Sequence, residues 1–198
     1  MRRHARDLLA HAVLAVLVIS ATPAAASQTY RSTGSAAVTV DGVERHFVAF
    51  EVSDADGTAA TATWSTGGWI GDWWWIDLVF VEADVAELGW EADGVPMLSV
   101  SFFVDPASGA VAADVLRTPD VLFTENSVVF WPFHESLPGA VEVAIDSATL
   151  DGDAMRVRGR VTAVLGLVVD MEADEPDPSA TIVVRAEFDL TEVVRLPD

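Results

Sequence analysis

The chain has 198 residues, 31 acids against 11 basic residues, a formal net charge of −20 and no cysteine. A field of that sign repels phosphate backbones and anionic lipid, which argues against nucleic-acid and electrostatic membrane partners. Without cysteine, disulfides, thiol catalysis and cysteine-bound zinc are excluded, so packing and backbone pairing must carry the stability.

The first 26 residues read as an export signal that is removed from the mature protein. Arg2, Arg3 and Arg6 make a basic start, Leu8 to Ile19 is an apolar run, and Ala24-Ala25-Ala26 offers a small-residue cleavage site. The apolar run is about a dozen residues, short of the ~20 that a membrane helix needs, and no later stretch supplies a span. A secreted or periplasmic address is expected. Residues 27–198 then form one domain, long enough to bury its own core.

Beyond the leader, stretches rich in β-branched and aromatic residues alternate with Gly, Asp and Pro turns. This pattern predicts an all-β fold, a single antiparallel β-sandwich of about ten strands that is open to barrel-like closure. Strands are expected over 36–40 and 45–52, joined at Asp41-Gly42, a pair suited to the positive φ angles of a tight hairpin. On the second strand His46, Val48, Phe50 and Val52 share a face. His46 and His134 are the imidazoles of the mature chain, and neither sits in a catalytic or metal-binding motif. His46 reads as a sheet residue and His134 as a loop residue after Pro132.

A strand over 59–64 leads into the most unusual segment. Five of the seven tryptophans, Trp64, Trp69, Trp73, Trp74 and Trp75, fall within twelve residues, around Gly67, Gly68 and Gly71. Each Trp hides roughly 150–250 Å² when covered, about 4–6 kcal/mol at ~25 cal/mol per Å². Along 73–81, period-two counting puts Trp74, Ile76, Leu78 and Phe80 on one face, with Trp73, Trp75, Asp77, Val79 and Val81 on the other. Trp74 therefore belongs to the core. Trp73 and Trp75 either sit beneath a covering loop or form, with Trp69 on the adjoining Gly loop, an aromatic platform for sugar rings or an apolar protein segment. They are the candidate ligand-binding residues.

Asp72 and Asp77 flank the same segment and are the candidates for a carboxylate-dependent glycoside hydrolase, which needs two acids facing each other across a cleft. With 31 acids in the chain, that composition has little diagnostic power. No catalytic residue is assigned, and the more economical reading makes Asp72 a loop acid and Asp77 a sheet acid.

Strands are next expected over 97–104, 111–116 and 121–131, with a turn at 105–109 and a stop at Pro132. The 141–150 and 155–168 strands flank the hairpin signal Asp151-Gly152-Asp153. On the latter strand Arg156, Arg158 and Arg160 share one face. They suit either a docking stripe for a carboxylate- or sulfate-bearing polymer or, more simply, cross-strand pairing with acids. The acidic, proline-bearing run 172–178 reads as an exposed loop, and the final strand alternates cleanly over 181–191.

Acid-rich turns at Asp54-Ala55-Asp56-Gly57, at Asp151 and Asp153, and at Glu172, Asp174, Glu175 and Asp177 hold oxygen ligands of the kind calcium takes. None completes a calcium loop, so no metal site and no cofactor is assigned. The residues thus lead to an exported acidic β protein, expected as a monomer, with a non-catalytic binding role through its Trp-rich face and a carbohydrate or protein partner. The competing classes are the hydrolase and a structural or surface-assembly subunit.

Overall fold

The computed structural model describes residues 29–54, 57–66, 72–83, 94–112, 114, 117–126, 132–169 and 175–196. Its ten strands are β1 (Thr29–Val40), β2 (Val43–Asp54), β3 (Gly57–Ala60), β4 (Ala62–Thr66), β5 (Trp74–Glu82), β6 (Met97–Val104), β7 (Asp120–Thr124), β8 (Phe133–Asp151), β9 (Ala154–Val168) and β10 (Asp177–Arg195). Asp41 and Gly42 turn the first hairpin with φ of 48° and 84°, as that residue pair favours. The turn is also pinned to β10: Val183 N donates to Asp41 Oδ1 at 2.8 Å, and Asp41 N donates to Val183 O at 2.9 Å.

Antiparallel pairing builds one layer in the order β2-β1-β10-β9-β8 and a second in the order β4-β5-β6-β7, with β3 extending β2. Short seams hydrogen-bond the corners shut. Phe47 and Val48 of β2 meet Glu82 and Val81 of β5, and Leu122 and Phe123 of β7 meet Glu135 and His134 of β8. The third seam is parallel, with Val194 and Arg195 of β10 beside Thr63 and Trp64 of β4. The sheet is therefore a sandwich with the ring-like closure of a barrel.

Between the layers lies an apolar core whose members alternate along each strand, as the pleat demands. Ile76, Leu78 and Phe80 of β5 and Leu98, Val100 and Phe102 of β6 meet Val157 and Val161 of β9 and Val184, Ala186 and Phe188 of β10. The Phe188 ring joins the layers, 6.3 Å from Phe80 and 6.4 Å from Phe102. A second buried cluster lies on the outer side and runs from the β2–β5 corner to the β7–β8 corner, with Phe50, Val52, Val81, Met97, Leu122, Phe133 and Val168. Thus β2 is apolar on both sides, Phe47 and Ala49 inward and Phe50 and Val52 outward, while His46 on the outward face is exposed.

Five local expectations change. The 59–64 strand breaks at Thr61, a buried corner residue: its N donates to Phe50 O at 2.9 Å, its Oγ1 accepts from Phe50 N, and its carbonyl accepts from Val79 N at 2.7 Å. Thr61 thereby hands the chain from β2 to β5. Among the described residues of 111–116 no strand is formed, and 113, 115 and 116 lie outside the described residues. Val111 makes an isolated bridge to Val104, and the chain then turns at Asp114, whose carbonyl accepts from Arg117 N and Thr118 Oγ1. The 121–131 strand stops at Thr124, because the Thr124 hydroxyl bonds both the N–H and the carbonyl of Asn126, and residues 127–131 lie outside the described residues.

The fourth change concerns the acidic run 172–178, of which 172–174 lies outside the described residues. β10 already begins at Asp177, paired with Leu167, and the ladder then skips to Thr181. Pro178 fits because it falls in that bulge, where no ladder N–H is required. His134 likewise lies on β8 rather than in a loop, opposite Phe123 and Leu167.

Candidate functional site

Period two on β5 sends Trp74 toward the core, where it meets Trp64 edge-on at 6.1 Å, and sends Trp75 to the outer face. Trp75 is paired in register with Phe103 of β6, and the two rings stack 6.1 Å apart at 21°. Trp73, just ahead of β5, lies under the guanidinium of Arg117, 4.1 Å from the ring centroid. Arg117 is held by Asp114, with Nε donating to Asp114 Oδ2 at 2.8 Å and Nη2 adding a second bond to the same oxygen. Trp73, Trp75, Phe103 and Arg117 are all partly buried. The aromatic surface is therefore braced by Phe103 and Arg117 rather than bare. Trp69 lies outside the described residues.

Next to the rings a polar row crosses three strands, because the register aligns Asp77 with Ser101 and Ser101 with Asp120. Ser101 Oγ donates to Asp77 Oδ1 at 2.7 Å. Asp120 Oδ1 accepts from Val121 N at 2.9 Å and from the Ser136 hydroxyl. Burial holds the Asp77 carboxyl above the ordinary aspartate range; the Ser101 hydrogen bond opposes that shift and the charge of Asp120 adds to it.

Asp72 is exposed, and the acid that acts on Asp77 is Asp120. Ser101, itself buried, stands between Asp77 and Asp120 on β6, whereas glycosidase carboxylates face each other across open space.

No known family model, curated protein or solved structure matches the chain. The site's own chemistry is that of aromatic ring faces, a cation already accommodated on one of them, and a buried carboxyl hydrogen-bonded to Ser101.

The remaining candidates have local roles. Among the described residues no group of three or more His, Asp and Glu is placed to hold a metal ion. Asp153, in the β8–β9 turn, lies 3.6 Å from Arg195, and its carbonyl accepts from Trp64 Nε1 at 3.1 Å. Arg195 also covers the Trp64 ring at 5.4 Å, so this acid-rich turn caps one end of the core. At the opposite end Arg45 forks onto Glu125 with two 3.0 Å bonds, approaches Glu82 at 3.4 Å and lies 5.8 Å over the Phe123 ring. Desolvation lowers the pKa of partly buried His134, while Asp41 and Glu125 act in the opposite direction.

Phe103, Ser101, Asp120 and Arg117 were not legible as site residues. Alternation along 97–104 does place Ser101 and Phe103 on one face, but no local signal aligns that face with Trp75 and Asp77.

Proposed function

We propose that this is an exported, non-catalytic binding protein whose partner docks on the outward β5–β6 surface through Trp73, Trp75 and Phe103. The observation that carries this reading is the in-register stack of Trp75 on Phe103, on the outer side of the sheet and only partly buried. Stacking fixes the orientation of both rings at little entropic cost to a ligand, and the ring area that neither covers on the other remains available for contact. The C–H face of a neutral sugar ring suits an exposed aromatic face of this kind. The basic, apolar and small-residue succession of the first 26 residues supports export.

Retention on neutral polysaccharides in affinity electrophoresis tests this, with acrylamide quenching of Trp fluorescence alongside. The expected outcome is quenchable emission and at least tenfold weaker retention for Trp73→Ala/Trp75→Ala, at a melting temperature within a few degrees of wild type. Shielded emission together with a large loss of stability in the double variant would make these rings packing residues and end the proposal.

A further inference from the structure

The opposite side of the sandwich, the outer face of β2-β1-β10-β9-β8, carries a second surface of different chemistry. On β9 the side chains of Arg156, Arg158 and Arg160 are all exposed, and β10 adds exposed Arg185, whose cross-strand neighbours are Thr39 of β1 and Thr162 of β9. Glu187 and Asp189 lie directly across from Arg160 and Arg158. Even so, Arg160 bonds Asp146 at 3.3 Å instead, and among the described residues Arg156, Arg158 and Arg185 engage no carboxylate. Cross-strand neutralisation, the simplest role for this stripe, is thus largely unrealised. A shallow open groove passes over Thr39 and Thr162, bordered by Arg160, Arg185, Glu187 and Glu44, and Arg158 lies beyond it, opposite Asp189.

We infer that this groove, extended along β9 to Arg158, binds an acidic polysaccharide, its carboxylates taken by Arg158, Arg160 and Arg185 and its hydroxyls by Glu187, Glu44 and the threonines. Guanidinium forks match carboxylates in bidentate geometry. Successive arginines on β9 are roughly 7 Å apart, two residues of a strand, so a repeating polymer engages several where a small anion engages one. The interleaved glutamates decide the polymer class. They repel the carboxylates of any polyanion, and only a polysaccharide, with its hydroxyl donors, offsets that repulsion by hydrogen bonding to them; an acidic peptide lacks those donors. The −20 charge of the chain opposes approach of any polyanion at low ionic strength, and screening over ~8 Å at 0.15 M salt relieves this while leaving close contacts intact. Association is accordingly faster at 150 mM than at 10 mM salt.

The test is affinity electrophoresis at 150 mM salt in gels containing polygalacturonate, its fully methyl-esterified form or polyglutamate. Wild type and Trp73→Ala/Trp75→Ala are both expected to be retarded by polygalacturonate, and Trp73→Ala/Trp75→Ala, which lacks the neutral-sugar surface, by neither control polymer. Arg158→Gln/Arg185→Gln, which alters exposed residues without ion pairs and should melt as wild type does, is expected to bind at least tenfold more weakly. Absence of retardation, equal retardation of the arginine variant, or equal retardation by polyglutamate would each overturn the inference.

Discussion

Asp77 shows how a side chain's surroundings, more than its type, decide what it contributes. Its carboxyl is short of water, is steadied by Ser101 and feels Asp120, with burial the largest effect, so its pKa is higher folded than unfolded. The folded state then binds the proton more tightly than the unfolded chain does. This contribution to stability is fully present below the unfolded aspartate pKa and is lost as pH rises through the folded value. Asp77→Asn, which keeps an acceptor for Ser101 and cannot ionise, is expected to gain stability relative to wild type as pH goes from about 3.5 to 7. Paired thermal melts across that range check it, and a constant difference at all pH values would contradict the assignment. That Asp77 sits on the outward face was legible from alternation; that it is walled in beside Ser101 and Asp120 was not, because both neighbours come from other strands.

Glycine placement shows how strands sit against one another. Gly159 of β9 falls at an inward position in the alternation of Val157 and Val161, and the Phe188 ring occupies the space a side chain would fill. A Cβ there would stand 2.6 Å from the carbonyl oxygen of Ala144 and 3.0 Å from the Phe188 ring. Gly159→Ala is therefore expected to cost about 1–3 kcal/mol by overpacking, readable as a lower urea midpoint at unchanged slope. The hairpin at Asp41-Gly42, β6 over Met97–Val104 and the alternation of β9 and β10 followed from local pattern alone. The elements that departed from expectation did so at Thr61, Asp114, Thr124 and Pro178, where a hydrogen bond or a bulge turns the chain against its propensity.

The two layers share one core, joined by Phe188 and closed at three corners, so neither layer is independently buried. Unfolding is expected to be a single cooperative transition, with far-UV circular dichroism and Trp fluorescence tracing one curve in urea. Phe188→Ala should lower stability by about 3–5 kcal/mol and keep the two probes coincident; separate transitions would show that the layers unfold independently. The residues by themselves determined an all-β chain, its main hairpins and the inward direction of Trp74, because these depend on the period-two pleat and on turn chemistry within a few residues. Only the tertiary structure decided that Trp75 stacks on Phe103, that Arg117 covers Trp73, and that three arginines on the far face keep no carboxylate partner among the described residues. Those contacts join strands distant in sequence, and the register and corner closure that create them are set by packing of the whole core rather than by any local signal.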